Sequence, residues 1–175
     1  MNRQDDPTPA PTLAQIKAGL SPAVLARFNG PVMIAQLPSR NAVALLSKVG
    51  TNQGVDTFLS ADGISISISD GVIVATRGFG FDLMRADYAE PLLAIKNPPQ
   101  EIARNFSHLD GENQLITTTY DCSYAIIGAR QVKEVCTSST QSFENTHSLD
   151  ENGEIFSATQ WVSLQTGPIV FEIIQ

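Results

Sequence analysis

Residues 74–84, VATRGFGFDLM, hold two glycines, one arginine and one aspartate directly after a stretch that alternates like a β-strand. Gly78 and Gly80 have the spacing that opens a dinucleotide-binding fingerprint, but Leu83 stands where the third glycine belongs. That fingerprint also requires a strand–helix–strand unit, whereas the flanking segments are typical of antiparallel hairpins. We therefore expect no nucleotide and no other cofactor here, and we interpret the segment as a corner where the chain leaves a sheet.

The charged residues of this segment could act together. Arg77 and Asp82 lie five residues apart, and we expect a salt bridge that fixes the corner rather than a catalytic acid. Apolar side chains of the same segment are expected to anchor it in the core: Phe79, Phe81, Leu83 and Met84. Any direct function of the corner would be contact with a partner, through a surface that contains Arg77, Gly78, Phe79, Gly80, Asp82 and Trp161.

Aspartates are frequent enough to raise the question of glycoside hydrolysis, which uses a pair of carboxylates. The candidates are Asp56, Asp62, Asp70, Asp82, Asp87 and Asp110. An Asp-Gly pair is typical of a turn in which the aspartate side chain bonds its own backbone, and this explains several of them. No turn dipeptide explains Asp82, so a hydrolase would depend on acidic residues near it. We expect no catalytic residues.

The remaining candidates for chemistry are one tryptophan and two histidines. Trp161, in SATQWVS, is expected to pack in the core or at a sheet edge rather than to form a platform for sugar. His108 and His147 flank turn regions, where we expect surface or capped histidines. Neither histidine completes a familiar ligand pattern with the cysteines, so no metal site is expected.

The two cysteines fit a disulfide across a hairpin. A hairpin centred on Ala129 pairs residues whose numbers sum to 258, which places Cys122 opposite Cys136 and Tyr124 opposite Glu134. Directly opposed antiparallel residues lie about 4.5–5.5 Å apart at Cα, within the range that a disulfide spans. The alternative is a pair of buried thiols. A disulfide implies an oxidising compartment, most simply a periplasm or a cell surface.

Strand and turn signals dominate from residue 31 onward. Residues 64–69, ISISIS, alternate with a period of two, which predicts a strand with one buried face. Turns between strands are expected at Asp62–Gly63, Asp70–Gly71, Asp110–Gly111, Asn152–Gly153 and around Gly128. Sequential hairpins pair neighbouring strands, so the fold is predicted to be mainly all-β, an antiparallel meander. Residues 41–54 could form a strand or a short helix, and residues 85–99 a short helix or a loop.

The N-terminal part differs in composition from the strand-rich remainder of the chain. Residues 1–11 are rich in proline and are predicted to form a flexible tether, followed by a single β domain over residues 12–175. Thr12 can cap a helix, and Ser21 followed by Pro22 is typical of a second helix start. We expect one or two short helices before the first strand.

Composition excludes some classes of partner. The chain has 175 residues and a net charge of −7, which argues against the basic face that binds nucleic acid or anionic lipid. No apolar run approaches the roughly 20 residues that span a bilayer, and the N-terminus lacks the apolar segment of a signal peptide.

Several segments, in order, resemble the YjbF/GfcB family, envelope lipoproteins associated with exopolysaccharide and group 4 capsule gene clusters. They are FLSADGISISISDGVIVATRGFGFDLM, HLDGENQLITTTYDCSY, EVC and NGEIFSATQWVS. VATRGFGFDLM and SATQWVS are the most specific of them. The resemblance implies that the meander curls into an open or partial barrel, and it brings no established catalytic residues.

The resemblance also implies an outer-membrane lipoprotein that faces the periplasm, lipid-anchored in its full-length form. Its partners would be other polysaccharide-secretion proteins of the envelope, or the glycan itself. Such lipoproteins begin with a signal peptide and a lipid-bearing cysteine, which this sequence lacks, so we expect that the export segment has been removed. Open sheet edges would also allow a homodimer.

Three functions follow, and each predicts a different structure. The first is a non-catalytic module that supports production and export of exopolysaccharide or capsule. The second is a carrier of an acyl or polyprenyl chain, which needs an apolar concave face left unfilled. The third is a polysaccharide hydrolase near Asp82, which needs two carboxylates about 5–10 Å apart in a cleft.

Overall fold

The computed structural model describes residues 11–174, so the predicted tether, except for its last residue, and Gln175 lie outside the described residues. Within the described range, twelve strands form one antiparallel sheet that curls into a nearly closed, barrel-like shape. The strands are β1 (Val32–Leu37), β2 (Ala42–Asn52), β3 (Val55–Ser60), β4 (Ser65–Ser69), β5 (Val72–Arg77), β6 (Leu83–Ala86), β7 (Gln100–Leu109), β8 (Leu115–Gly128), β9 (Gln131–Thr137), β10 (Ser142–Leu149), β11 (Ile155–Ser163) and β12 (Gly167–Ile174). The predicted class, mainly all-β with a curled meander, is confirmed.

Short helices complete the fold: α1 (Leu13–Gly19), α2 (Pro22–Leu25), a 3₁₀ turn (Pro38–Arg40) and α3 (Ala89–Lys96). Thr12 caps α1 and Ser21 caps α2, as their sequence predicts. The two ambiguous segments are resolved, because residues 42–52 form a strand and residues 89–96 a helix. No helix within residues 11–174 is long and apolar enough to cross a membrane.

The order of strands across the sheet is β5-β4-β3-β2-β1-β12-β11-β10-β9-β8-β7-β6. It consists of two sequential meanders, β1 to β5 and β6 to β12, which are joined where β1 pairs with β12. The two edge strands, β5 and β6, are therefore consecutive in the chain, and they come close together as the sheet curls. The residues between them, 78–82, form the corner where the barrel closes, and we call them the seam corner.

The predicted turns lie between strands, but they differ in backbone geometry. Asp70 and Gly71 both have positive φ, at 46° and 86°, as an Asp-Gly hairpin turn requires. At Asp110–Gly111 the positive φ instead falls on Asn113, and Asp110 Oδ1 accepts hydrogen bonds from backbone N–H groups further along the loop. This turn is wider because the aspartate side chain substitutes for part of the backbone pairing.

Packed side chains fill the interior of the barrel. Buried apolar residues from all twelve strands, α3 and the seam corner form one core cluster. In β8 the inward residues Tyr120, Cys122 and Tyr124 alternate with exposed ones, as period-two alternation requires. A continuous apolar cavity for a lipid chain, which the carrier hypothesis needs, is not left between the walls of the described strands.

Strand direction assigns each loop to one end of the barrel. α1 and α2 precede β1, so they lie at the end that holds the start of β1 and the end of β12, where Val32 pairs with Ile174. The seam corner lies at the opposite end, with the 3₁₀ turn, the β7–β8 loop, the β9–β10 loop and the β11–β12 loop. Ser39 Oγ donates to Thr166 O at 2.7 Å there, which ties two of these loops together.

Candidate functional site

Side chains, rather than a backbone ladder, join β5 to β6 at the seam corner. Thr76 Oγ1 donates to Asp82 Oδ1 at 2.9 Å and accepts from Leu83 N at 3.0 Å. The Asp82 carboxylate also accepts from the backbone N–H groups of Gly78, at 3.0 Å, and Phe79, at 3.2 Å. Asp82 therefore organises the turn, in the way that a capping carboxylate satisfies free backbone donors.

The expected salt bridge between Arg77 and Asp82 is wrong. No ion pair within residues 11–174 joins them, because each side chain has backbone or hydroxyl partners instead. The Arg77 guanidinium donates to the carbonyls of Thr76, at 2.5 Å, and Leu83, at 3.1 Å. Arg77 and Asp82 thus bind different backbone groups of the seam corner, and both sets of hydrogen bonds stabilise the junction of β5 and β6.

The backbone of the seam corner is also held from the opposite wall. Ser163 Oγ and Thr166 Oγ1 both donate to Phe81 O at 2.8 Å, and the Arg40 guanidinium donates to Phe79 O. Gly78 and Gly80 supply positive φ angles of 93° and 87°, which side chains rarely adopt. The glycines that resembled a nucleotide fingerprint therefore shape a loop that is fixed on both sides.

The expectation that the apolar side chains of the corner anchor it in the core is only partly met. Phe79 and Leu83 are buried in the core cluster, and Met84 is half-buried. Phe81 is 54% exposed, because the carbonyl bonds to Ser163 and Thr166 fix its backbone in an orientation that leaves the ring outside. An exposed aromatic ring on a fixed loop is the feature that the sequence did not predict.

A cleft of about 560 Å³ opens beside the seam corner, and we call it the seam cleft. Its volume lies within the range of roughly 300–1,000 Å³ that is usual for small-molecule sites. The wall is formed by Arg77, Gly80, Phe81, Asp82, Met84, His108, Leu109, Asp110, Gly111, Asn113, Thr118, Tyr120, Gln141, Trp161, Ser163, Leu164 and Gln165. The cleft is thus lined by residues of the seam corner and of three loops at this end of the barrel: β7–β8, β9–β10 and β11–β12.

Aromatic side chains form the floor of the seam cleft. Trp161 is 8% exposed and stacks on Phe143, with 4.4 Å between ring centroids and 7° between planes. Phe106 and Tyr120 contact the same ring edge-to-face. His108 Nε2 lies 2.7 Å from the Val162 carbonyl, which can only accept, so Nε2 carries a proton. Trp161 therefore packs in the core, as the sequence predicts.

A buried charged cluster lies inside the barrel, on β7 to β10. Glu134 Oε1 accepts from Arg104 and from the Tyr124 hydroxyl, both at 2.7 Å. Glu134 Oε2 accepts from Asn145 Nδ2 at 2.7 Å and from His147 Nε2 at 3.2 Å. Arg104 is 1% exposed, and Glu134 and His147 are fully buried. The expectation that His147 is a surface or capped residue is wrong, because β10 directs it inward.

Glu134 stays ionised in this cluster. Burial by itself raises the pKa of the carboxyl, but the charge of Arg104 and hydrogen bonds from His147 and Asn145 outweigh it and hold the pKa far below its usual value. Burial, followed by the negative charge of Glu134, raises the pKa of the Tyr124 phenol. The hairpin register had placed Tyr124 opposite Glu134, and inward alternation from Cys136 could have identified Glu134 as buried.

Cys122 and Cys136 form a disulfide, with 4.0 Å between their Cα atoms. They are opposed in the register of β8 and β9, as the sequence predicts, and the pairs Tyr124 with Glu134 and Ile126 with Val132 follow the same register. The two sulfur atoms and a Glu134 carboxylate oxygen lie within 4.8 Å of one another. Both sulfurs are used by the disulfide, which removes the thiolates that a metal would require.

The seam cleft is lined by four of the six residues that were predicted to form a partner surface: Arg77, Gly80, Asp82 and Trp161. Gly78 stays in the turn, and buried Phe79 instead borders a smaller apolar pocket of about 170 Å³ near β1 and β2. That pocket falls below the usual range for ligand sites and is too small for a long acyl or polyprenyl chain.

Comparison with known proteins supplies the identity of the family. The family model described as group 4 capsule polysaccharide lipoprotein GfcB, YjbF matches residues 12–174. No curated protein matches the sequence significantly. Among solved structures, the hypothetical lipoprotein YmcC from Escherichia coli K12 is similar in fold, with a TM-score of 0.73, 13% identity, and coverage of 93% of this chain and 92% of that chain. The match over almost the whole described chain shows that this protein belongs to the group 4 capsule polysaccharide lipoprotein family, GfcB/YjbF.

Proposed function

We propose that this protein is a non-catalytic module that supports production and export of capsule or exopolysaccharide, from the outer membrane and facing the periplasm. The observation that carries the proposal is the family match over residues 12–174, because the family is described as group 4 capsule polysaccharide lipoproteins. The disulfide between Cys122 and Cys136 agrees with a periplasmic location, since disulfides persist in oxidising compartments.

The geometry favours a binding role over the two alternatives. The interior is packed, which argues against an acyl or polyprenyl carrier. Both oxygens of Asp82 accept hydrogen bonds from the seam corner, so this carboxylate has a structural task that competes with acid–base chemistry. The seam cleft is large enough for a ligand and lies at the end of the barrel opposite α1 and α2. A module held on the α1 side would therefore present the cleft away from that side.

Deletion of the gene in a strain that produces the polysaccharide tests this function. We expect less polysaccharide at the cell surface and in the medium, with recovery when the full-length wild-type gene is restored. Fractionation of the complemented strain should place the protein in the outer membrane. A deletion strain that secretes normal amounts of polysaccharide of normal length would contradict the proposal.

A further inference from the structure

Phe81 presents a fixed aromatic surface to the seam cleft. Phe81 is 54% exposed, although the hydroxyls of Ser163 and Thr166 donate to its carbonyl and the Asp82 carboxylate accepts from the backbone N–H of Phe79 in the same turn. Burial of an aromatic ring normally stabilises a fold, so a residue left about half exposed on a fixed loop gains only part of that stabilisation from its position. Such a ring is preorganised for a ligand, because little conformational freedom is lost on binding.

Polar groups with free hydrogen-bonding capacity face the same cleft. The side-chain amides of Asn113 and Gln165 make no hydrogen bond within residues 11–174, and each offers both donors and an acceptor. Gln141, which also lines the cleft, accepts from the Tyr120 hydroxyl at 3.2 Å through Oε1, and this bond does not use its NH₂ donors. Sugar hydroxyls are both donors and acceptors, so a wall of carboxamides is complementary to them.

The charges of the seam cleft select against anions. Arg77 is the one cation among the described residues of its wall, and its guanidinium already donates to two carbonyls. Asp82 and Asp110 contribute two carboxylates, and the whole chain has a net charge of −7. A polyanionic glycan or a phosphate headgroup would be repelled. A neutral pyranose has an apolar C–H face for an aromatic ring and a polar edge for amides.

We propose that the seam cleft binds a short neutral segment of a polysaccharide, with one pyranose ring stacked on Phe81 and its hydroxyls bonded by Asn113, Gln141 and Gln165. This inference rests on the proposed role in polysaccharide export and names the ligand class of that role. Leu109 and Leu164, which are 45% and 72% exposed at the rim, extend the apolar side of the cleft for the neighbouring sugar unit.

Trp161 provides a direct assay. It is the single tryptophan of the chain and forms part of the cleft floor, so a bound sugar should change its fluorescence. The probes are maltohexaose, cellohexaose and isomaltohexaose, hexagalacturonate as a charged probe of the same length, and fragments released from the secreted polysaccharide by mild acid. We expect saturable binding of at least one neutral probe or of the fragments, and at least tenfold weaker binding of hexagalacturonate.

Phe81→Ala should weaken binding roughly tenfold, a loss typical of one aromatic stacking contact. Phe156→Ala is the matched control, because Phe156 is 40% exposed on β11, near the opposite end of the barrel. Gln165→Ala tests the amides and should weaken binding a few-fold. Thermal unfolding of each variant should match that of the wild type, since these side chains are exposed.

Three results would overturn the inference. These are no binding of any neutral probe or fragment at roughly 10 mM, equal binding by the wild type and Phe81→Ala, or tighter binding of hexagalacturonate than of the neutral probes. Failure of the proposed function is a separate result, because it is measured by secretion in the deletion strain. Binding in vitro with normal secretion would retain the sugar site and reject the role in export.

Discussion

Glu134→Gln tests whether the buried charged cluster stabilises the fold. The substitution keeps the size of the side chain but removes the negative charge that Arg104 contacts at 2.7 Å. It also replaces one carboxylate oxygen by an NH₂ group. That group would face either the Asn145 and His147 donors, or the Arg104 and Tyr124 donors, depending on how the new amide is oriented.

The expected loss is about 3–5 kcal/mol, the range for breaking a buried ion pair by removal of one partner. The upper half of the range applies here because Arg104 and Glu134 are each 1% exposed or less, and the remaining guanidinium has no access to water. A protein of this size loses roughly 2–4 °C in Tm per kcal/mol, so a loss of about 4–5 kcal/mol should lower Tm by about 8–20 °C. A double variant with Arg104→Met should recover part of the loss, since no charge then remains unpaired.

Urea unfolding at neutral pH, followed by circular dichroism, measures the free energy. Glu144→Gln is the control: its ion pair with Lys133 lies on the exposed face, with side chains 60% and 35% exposed. We expect that control to lose less than about 1 kcal/mol. A Glu134→Gln variant that loses no more than the Glu144→Gln control would refute the reasoning.

The difference in unfolding free energy between the wild type and Glu134→Gln should depend on pH. The pKa of Glu134 is held below its value of 4.5 in the unfolded chain. The stabilisation by the carboxylate is therefore complete above that value, and it is lost as the pH falls below it. The difference in unfolding free energy between the wild type and Glu134→Gln should shrink from about pH 5 to about pH 3, by at most about 1.4 kcal/mol per pH unit. A difference that stays constant over this interval would contradict the assignment.

Three further variants test close packing and the disulfide. Gly71→Ala should destabilise the protein by roughly 2–5 kcal/mol, because a Cβ there would lie 2.4 Å from Cβ of Ile155 at a φ of 86°. Gly153→Ala, at a φ of 79° with open space around it, should lose only the part due to backbone strain, roughly 1–2 kcal/mol, in the same urea unfolding assay. The Cys122→Ala/Cys136→Ala double variant should lose about 3 kcal/mol, since the disulfide closes a loop of about 15 residues. Thiol titration of the denatured, unreduced wild type should find no free thiol, and two thiols would contradict the pairing.

The segment VATRGFGFDLM illustrates how structural residues can resemble a chemical motif. Its glycines and charged residues are needed because the two edges of the sheet meet there without a backbone ladder. Thr76 and Asp82 make hydrogen bonds at the point where β5 and β6 meet, in place of bonds between their backbones. This closure also brings Phe81 to the mouth of the seam cleft.

Features that depend on local rules could be predicted from the sequence. Period-two alternation in residues 64–69 identified a strand, and the hairpin register identified the partner of Cys122 as Cys136. These predictions succeed because side-chain direction alternates along every strand and because a tight turn fixes the pairing of the residues on either side of it.

Features that depend on non-local closure could not be predicted. The Arg77–Asp82 bridge was a reasonable expectation from spacing, but backbone groups brought together at the seam compete for both side chains. The alternation of β10 does not by itself show that His147 meets a carboxylate, because this requires β7 to β10 to lie side by side around one interior.

The sequence by itself determined the strand-rich class, the caps of the first helices, the disulfide register and the family resemblance. The tertiary structure decided which side chains face water at the seam, which charges are buried together, and where a cleft remains. The physical reason is the distance along the chain over which the deciding interactions act. Alternation and turn geometry act over a few residues, whereas the exposure of Phe81 and the burial of Glu134 are set by contacts between distant strands.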